Sequence, residues 1–168
     1  AKSIGAEAHA LQLDVTDAAS IAAATERIHG EFGRLDVLVN NAAISHAAKP
    51  GTPFDQILKS NSLATAPLED VRKVWETNVF GVIAVTQAML PLLREAPAGR
   101  IVNLGSDGGS LTLNSNPANP HRSAFGIYSV SKSASHAVML AFAIALEGTN
   151  IKVNAASPGF TKTALNNF

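Results

Sequence analysis

Val37-Leu38-Val39-Asn40-Asn41-Ala42-Ala43 reads as a short, continuous apolar strand that runs into a polar turn. Large apolar residues in succession, without polar alternation, suit a strand buried on both faces of a parallel sheet. Parallel strands need long crossovers, so helices should flank this one. Upstream, Ile21, Ala24, Ile28 and Phe32 recur at helical spacing within Ser20 to Phe32, and Gly33 supplies a stop. Asp17 or Thr16 can cap that helix. Before it, His9 to Leu13 alternates and then turns apolar, ending in Asp14-Val15-Thr16-Asp17, the pattern of a further strand meeting a helix start.

Downstream, residues 46 to 66 are rich in Pro, Gly, Ser and Thr and read as a loop. A helix over 67 to 95 should open at Pro67, with Glu69 and Asp70 favourably set against its dipole. Its apolar stripe runs through Val71, Val74, Trp75, Val82, Val85 and Met89, and Asn78 falls in the middle. A buried amide costs about 1 to 3 kcal/mol unless it is hydrogen-bonded, so Asn78 needs an interior partner. Gly99 precedes a third strand, Arg100 to Leu104, which gives way to Gly105-Ser106-Asp107-Gly108-Gly109. Residues 111 to 123 read as an irregular surface excursion. A helix over Ala124 to Glu147, stopped by Gly148, leads to a fourth strand, Ile151 to Ala155, ending in Ser157-Pro158-Gly159. Strand and helix alternate throughout. That order predicts an α/β fold, one domain over residues 1–168, with right-handed crossovers and any ligand at the carboxyl ends of the strands.

Composition narrows the function. Thirteen basic and thirteen acidic residues cancel, and no basic run interleaves with aromatics, which argues against a nucleic-acid or anionic-membrane partner. The chain has no cysteine, which excludes disulfide and thiolate chemistry and fits a reducing, cytoplasmic setting. Its longest unbroken apolar run, Ala137 to Leu146, is too short to span a bilayer, and no signal-peptide pattern opens the chain. It reads as soluble and intracellular.

Tyr128-Ser-Val-Ser-Lys132 carries the chemistry. A tyrosine and a lysine four residues apart share a helix face, so an ammonium can approach the phenol or whatever binds beside it. The ordinary tyrosine pKa of about 10 makes a poor proton carrier near neutrality. Lowering it by about three units takes roughly 4 kcal/mol, what one positive charge about 4 Å away supplies at an effective dielectric of about 20. Such a site must be partly dry. An exposed Tyr and Lys with no role is the alternative for so short a pattern. Asp14, Asn40-Asn41, Ser106 and Ser157-Pro158-Gly159 each follow a strand, however, and so collect with Tyr128 and Lys132 on one rim.

Taken in order, DVTD at 14 to 17, NNAA at 40 to 43, Asn78 in NVFG, Ser106 after IVNLG, YSVSK at 128 to 132 and SPGFTKT at 157 to 163 resemble the short-chain dehydrogenase/reductase family, of the carbonyl-reductase-like kind with a long Ser-to-Tyr loop. The resemblance covers nearly the whole chain. It implies a partial Rossmann-type, doubly wound parallel sheet lacking the first two strands and the last. It implies NAD or NADP as cofactor and a small-molecule carbonyl or alcohol as substrate. Tyr128 would be the general acid in carbonyl reduction, Lys132 would hold the nicotinamide ribose and depress the Tyr128 pKa, Ser106 would orient the substrate oxygen, and Asn78 would hold a water linking Lys132 to solvent. Asp14 and Val15 would contact the adenine, and the Asn40 to Ala43 turn, Ala42 included, would border the adenosine ribose and support the sheet. Pro158, Gly159, Thr161 and Thr163 would grip the nicotinamide end. Helices 67–95 and 124–147 are the pair through which family members pair into homo-oligomers, unless residues 111 to 123 cover them.

The resemblance has three departures. Ala43 stands where the family usually has glycine, and Asp107 sets a carboxylate beside Ser106 that would oppose a lowered tyrosine pKa. The third is the T-G-x-x-x-G-x-G turn that seats a pyrophosphate at a helix N-terminus, which is not in the sequence. The family's strand order, 3-2-1-4-5-6-7, would then place this chain's first strand three spacings, roughly 14 Å, from the strand ending at Asn40, unless it pairs elsewhere. This is the pattern of an incomplete chain. Hence a second reading stands beside the oxidoreductase: a truncated, catalytically inactive remnant or interaction module of the same fold. A serine hydrolase fails because position 104 of the would-be G-x-S-x-G elbow is Leu, and His9, His29, His46, His121 and His136 are not spaced as metal ligands.

Overall fold

The computed structural model describes residues 7–49, 51–159 and 161. Its elements are α1 (Ala18–Phe32), β1 (Val37–Asn40), α2 (Phe54–Ser60), α3 (Leu68–Trp75), a π-helical turn (Glu76–Gly81), α4 (Val82–Arg94), β2 (Arg100–Leu104), α5 (Leu111–Ser115), α6 (Ile127–Ala145) and β3 (Lys152–Ala156). Short 3₁₀ turns at Asp107–Gly109 and Arg122–Ala124 complete them. The three strands form one parallel sheet in the order β1-β2-β3. Helical crossovers join successive strands, as the apolar strand at Val37 requires.

Register decides which side chains meet the helices. Leu38 lies beside Ile101 and Ile101 beside Val153, and these join Ile21 and Ala24 of α1 with Val85, Met89, Leu92 and Leu93 of α4 in the core. The opposite face carries Val37, Arg100 and Lys152 in one row and Val39, Val102 and Asn154 in the next. Val37 and Val39 are 51% and 53% exposed. Burial of β1 on both faces is therefore not found: its helix-covered face packs, and its other face stands open. The described residues supply one of the two helical layers of a doubly wound sheet.

Local chemistry explains most boundaries. Asp17 caps α1, its carboxylate accepting the Ala19 N–H at 3.0 Å, and Gly33 ends the helix at φ 71°. Pro67 precedes α3 at φ −59°, a value its ring pre-sets. The helix expected over 124 to 147 is shorter, beginning after Gly126 and ending before Leu146.

Three expectations are corrected. His9 to Leu13 forms no strand, so the described sheet has three strands and not four. Leu11 and Val15 instead lean on the core, and this apolar contact replaces ladder bonds as their anchor. The stretch 46 to 66 is not all loop, since Phe54–Ser60 is helical, with Asp55 in its first turn and Lys59 in its last. Residues 111 to 123 likewise hold α5, whose first turn is capped by the Ser110 hydroxyl accepting the Leu113 N–H at 3.2 Å. One helical run among the described residues, Leu68–Arg94, is long and apolar enough to cross a membrane by length and composition. Half of its apolar window is buried inside the protein, as in a core helix.

Candidate active site

The strands end together, and β2 and α6 build the site there. Beyond Leu104 the chain turns at Gly105, and Ser106 takes an extended conformation, φ −159°, from which its Oγ caps the Asp107–Gly109 turn by accepting the Gly108 N–H at 3.1 Å. Gly109 lets this turn lie flat on α6: a Cβ there would stand 2.8 Å from Lys132 C and Ser133 N. Ser133 fastens it by donating to the Gly109 carbonyl at 2.7 Å. Ser106 is thus carried to the helix that bears Tyr128 and Lys132.

The first turn of α6 is held by chain, not by a side-chain cap. The Ile127 N–H donates to the Asn61 carbonyl at 3.0 Å, and Gly126 is the contact point, since any Cβ would overlap Asn61. Tyr128 is half-buried and Lys132 is 5% exposed. The Lys132 ammonium donates to the Leu104 carbonyl at 2.7 Å and lies 5.8 Å from the centre of the Tyr128 ring. It retains two further N–H donors.

Asn78 has the interior partners its position demands. It is 1% exposed, within the π-helical turn. Its Oδ1 accepts the Ile44 N–H at 2.9 Å, and its Nδ2 donates to the Ile44 carbonyl and to Ser131 Oγ, each at 2.9 Å. Ser131 donates onward to the Tyr128 carbonyl at 2.7 Å. The amide thereby ties the segment after Asn40 to the first turn of α6. Single π turns recur where a helix must present a functional group.

Electrostatics keep both central groups neutral-leaning. Burial pushes the Tyr128 pKa up from its ordinary value, and a hydrogen bond from Ser106 pulls in the opposite direction. The opposing pull comes from Ser106 and not from Lys132, contrary to the expected role of the ammonium. Burial also lowers the Lys132 pKa, the usual result of taking an ammonium out of water. Asp107 is exposed, and its carboxylate acts on His136, favouring protonation there, and not on Tyr128.

Ser106, Tyr128, Lys132 and Asn78 form one connected cluster. Asn40 belongs to a neighbouring one: its amide donates to Thr86 Oγ1 at 3.0 Å and to Asn103 Oδ1 at 2.7 Å, bracing β1, β2 and α4. Asp14 is exposed and accepts both the N–H and the hydroxyl of Thr16, at 2.9 and 2.7 Å, which lowers its pKa. Val15 is half-buried, and its Cγ2 would stand 2.9 Å from a Cβ at Gly81. Ala42, Pro158, Gly159 and Thr161 are exposed. Gly159 adopts φ 73°, and its carbonyl accepts from the Thr161 hydroxyl at 3.4 Å. Thr163 lies outside the described residues. Sequence reasoning passed over Ser131 and Asn61 and weighed His136 only as a metal ligand. Only His136 left a trace, recurring eight residues after Tyr128 and four after Lys132 on one helix face.

The family model for short chain dehydrogenases matches residues 1–168. The chain belongs to the short-chain dehydrogenase family. It is 39% identical over 152 residues to mouse dehydrogenase/reductase SDR family member 7B, covering 90% of this chain and 40% of that one. It is 34% identical over 160 residues to Escherichia coli 3-oxoacyl-acyl-carrier-protein reductase FabG, covering 95% and 57%. An NAD+-bound xylitol dehydrogenase superposes with a TM-score of 0.74 at 28% identity, covering 96% of this chain and 54% of that one. The chain spans about half the length of such short-chain dehydrogenases.

Proposed function

We propose that the chain carries the proton-transfer site of an NAD- or NADP-dependent oxidoreductase that interconverts a small carbonyl compound and its alcohol. The observation that carries this reading is the meeting of Ser106, Tyr128 and Lys132 at the carboxyl end of the sheet, with Ser106 close enough to pull the Tyr128 pKa down against burial and the Lys132 ammonium 5.8 Å from the centre of the Tyr128 ring. The two remaining donors of the Lys132 ammonium suit a ribose diol, so the residues present fit a nicotinamide riboside. A bound nicotinamide supplies or accepts the hydride.

In this reading Tyr128 holds its proton at neutral pH, as its raised pKa favours, and gives it to the carbonyl oxygen as that oxygen gains charge. Ser106 orients the same oxygen and then steadies the phenolate. Lys132 contributes donors to the ribose, and Asn78 keeps α6 and the Ile44 segment in register. Asp14, Val15 and Ala42 would line the adenosine side, and Pro158, Gly159 and Thr161 the nicotinamide side. Leu140 and Ile144, exposed on α6, support pairing with a second copy.

Titration of the 168-residue chain with NADH and with NADPH, read by nicotinamide fluorescence, tests the proposal. Saturable binding at micromolar cofactor is expected, and Tyr128→Phe should keep that binding while lowering carbonyl-dependent NAD(P)H oxidation by about 10²- to 10⁴-fold. A flat titration would show that these 168 residues do not hold the cofactor by themselves.

A further inference from the structure

Lys132 and His136 stand one turn apart on α6 and grip the two ends of one tripeptide. The Lys132 ammonium holds the Leu104 carbonyl at 2.7 Å, and His136 Nε2 accepts the Ser106 N–H at 3.4 Å. The middle residue has no slack either. The Gly105 N–H donates to the Ala156 carbonyl at 2.9 Å, and a Cβ on Gly105 would stand 2.6 Å from His136 Nε2. The imidazole therefore fills the space that a Gly105 side chain would occupy, with Nε2 as acceptor and the ring proton on Nδ1.

We propose that neutral His136 is a positioning residue for the proton-transfer site: it holds the Ser106 backbone, and through it the Ser106 hydroxyl beside Tyr128, and its protonation releases Ser106. An imidazolium has an N–H on both nitrogens and cannot accept from a backbone amide, so protonation sets two N–H groups against each other. Lys132 faces the ring from the same helix, Asp107 faces it from the turn after β2, and the uncharged Ala155 of β3 approaches Gly105. Burial and the Lys132 charge disfavour the imidazolium, Asp107 favours it, and the balance lowers the His136 pKa. Ser106 thus stays in place through neutral pH and is lost on acidification. The catalytic part of this inference rests on the role proposed above for Ser106 and Tyr128, whereas the hydrogen bond itself does not.

Two-dimensional NMR of the 168-residue chain tests the bond without any turnover. Between about pH 4 and 8, the Ser106 amide resonance should move with the same midpoint as the His136 ring nitrogens, below the ordinary histidine value of about 6.5. His136→Gln offers an acceptor that does not titrate, so its Ser106 amide should stay still over that range. His136→Leu should displace the resonance at every pH. A Ser106 amide that ignores the His136 titration, or that moves identically in His136→Gln, would overturn the inference, and the wild-type titration decides even where His136→Leu does not fold. Given turnover, wild-type kcat should fall about tenfold per pH unit below the midpoint, and His136→Gln should lose that limb with KM for cofactor unchanged. Failure of Tyr128→Phe to lower turnover would sink the proposed reaction and leave the NMR result standing.

Discussion

Asn78 and Ser131 lie 53 positions apart in the chain and are joined by a 2.9 Å hydrogen bond, with the Ile44 backbone closing the other side of the amide. Asn78→Leu keeps the volume and strips these partners. It would leave the N–H and carbonyl of Ile44 unpaired in a half-buried site, so a loss of about 1 to 3 kcal/mol is expected by urea denaturation. Ser131→Ala removes one acceptor and should cost less. The double variant should show coupling of at least about 0.5 kcal/mol, and strict additivity would mean that the bond carries no energy.

Lys132→Met keeps the buried stem and deletes the charge. In the wild type the Lys132 pKa is lowered, so the unfolded chain binds this proton more tightly and folding stability gains as pH rises from the folded pKa toward about 10.5. Tyr128 opposes this above about 10, where the unfolded chain loses a proton that the folded chain keeps. Lys132→Met should lose the alkaline rise and retain the fall. Thermal melts from pH 7 upward read both limbs.

His136 gives the acid counterpart. Its pKa is lowered in the folded chain, so stability is present above about 6.5 and drains as pH falls through the folded pKa, because the unfolded chain takes up the proton first. His136→Gln should melt at a temperature less dependent on acidification over that window. Equal pH dependence in the two proteins would refute the assignment.

Gly126→Ala places a methyl group onto Asn61 and should push the α2 segment away from the first turn of α6, breaking the Ile127 to Asn61 bond. A cost of about 1 to 3 kcal/mol is expected, the range for overpacking a fitted contact. Gly33→Ala has open space and meets only the strain of φ 71°, so its cost should be smaller. A larger loss at Gly33 than at Gly126 in denaturant melts would show that the loop contact is not tight.

Periodicity was a good guide wherever the helices cover a sheet face. Ile21, Ala24, Val85 and Met89 announce their burial by spacing alone, and Asn78 announces a partner by interrupting that spacing. Val37 and Val39 show the limit: their apolar character predicts burial on both faces, but burial also depends on what lies across the sheet. His9 to Leu13 failed for a related reason, since a strand exists only through its neighbours, and alternation cannot supply them. The catalytic candidates were legible because Tyr128 and Lys132 are local in sequence. Ser131 and Asn61 were not, since a serine hydroxyl and a backbone carbonyl carry no pattern until the fold chooses their partners.

The π-helical turn at Glu76–Gly81 has a genetic consequence. Asn78, Val79, Gly81 and Val82 are buried, four of five successive residues, on a turn that holds about one residue more than an α-helical turn. Loss of a single codon there would let the turn close with ordinary winding and leave both flanks facing the core, whereas the same loss inside α3 or α4 would rotate one flank against the other by about 100°. In the second case either Val74 or the Val85 and Met89 row would swing out of the core. The reading frame through this turn therefore tolerates loss of one residue better than the helices on either side of it do.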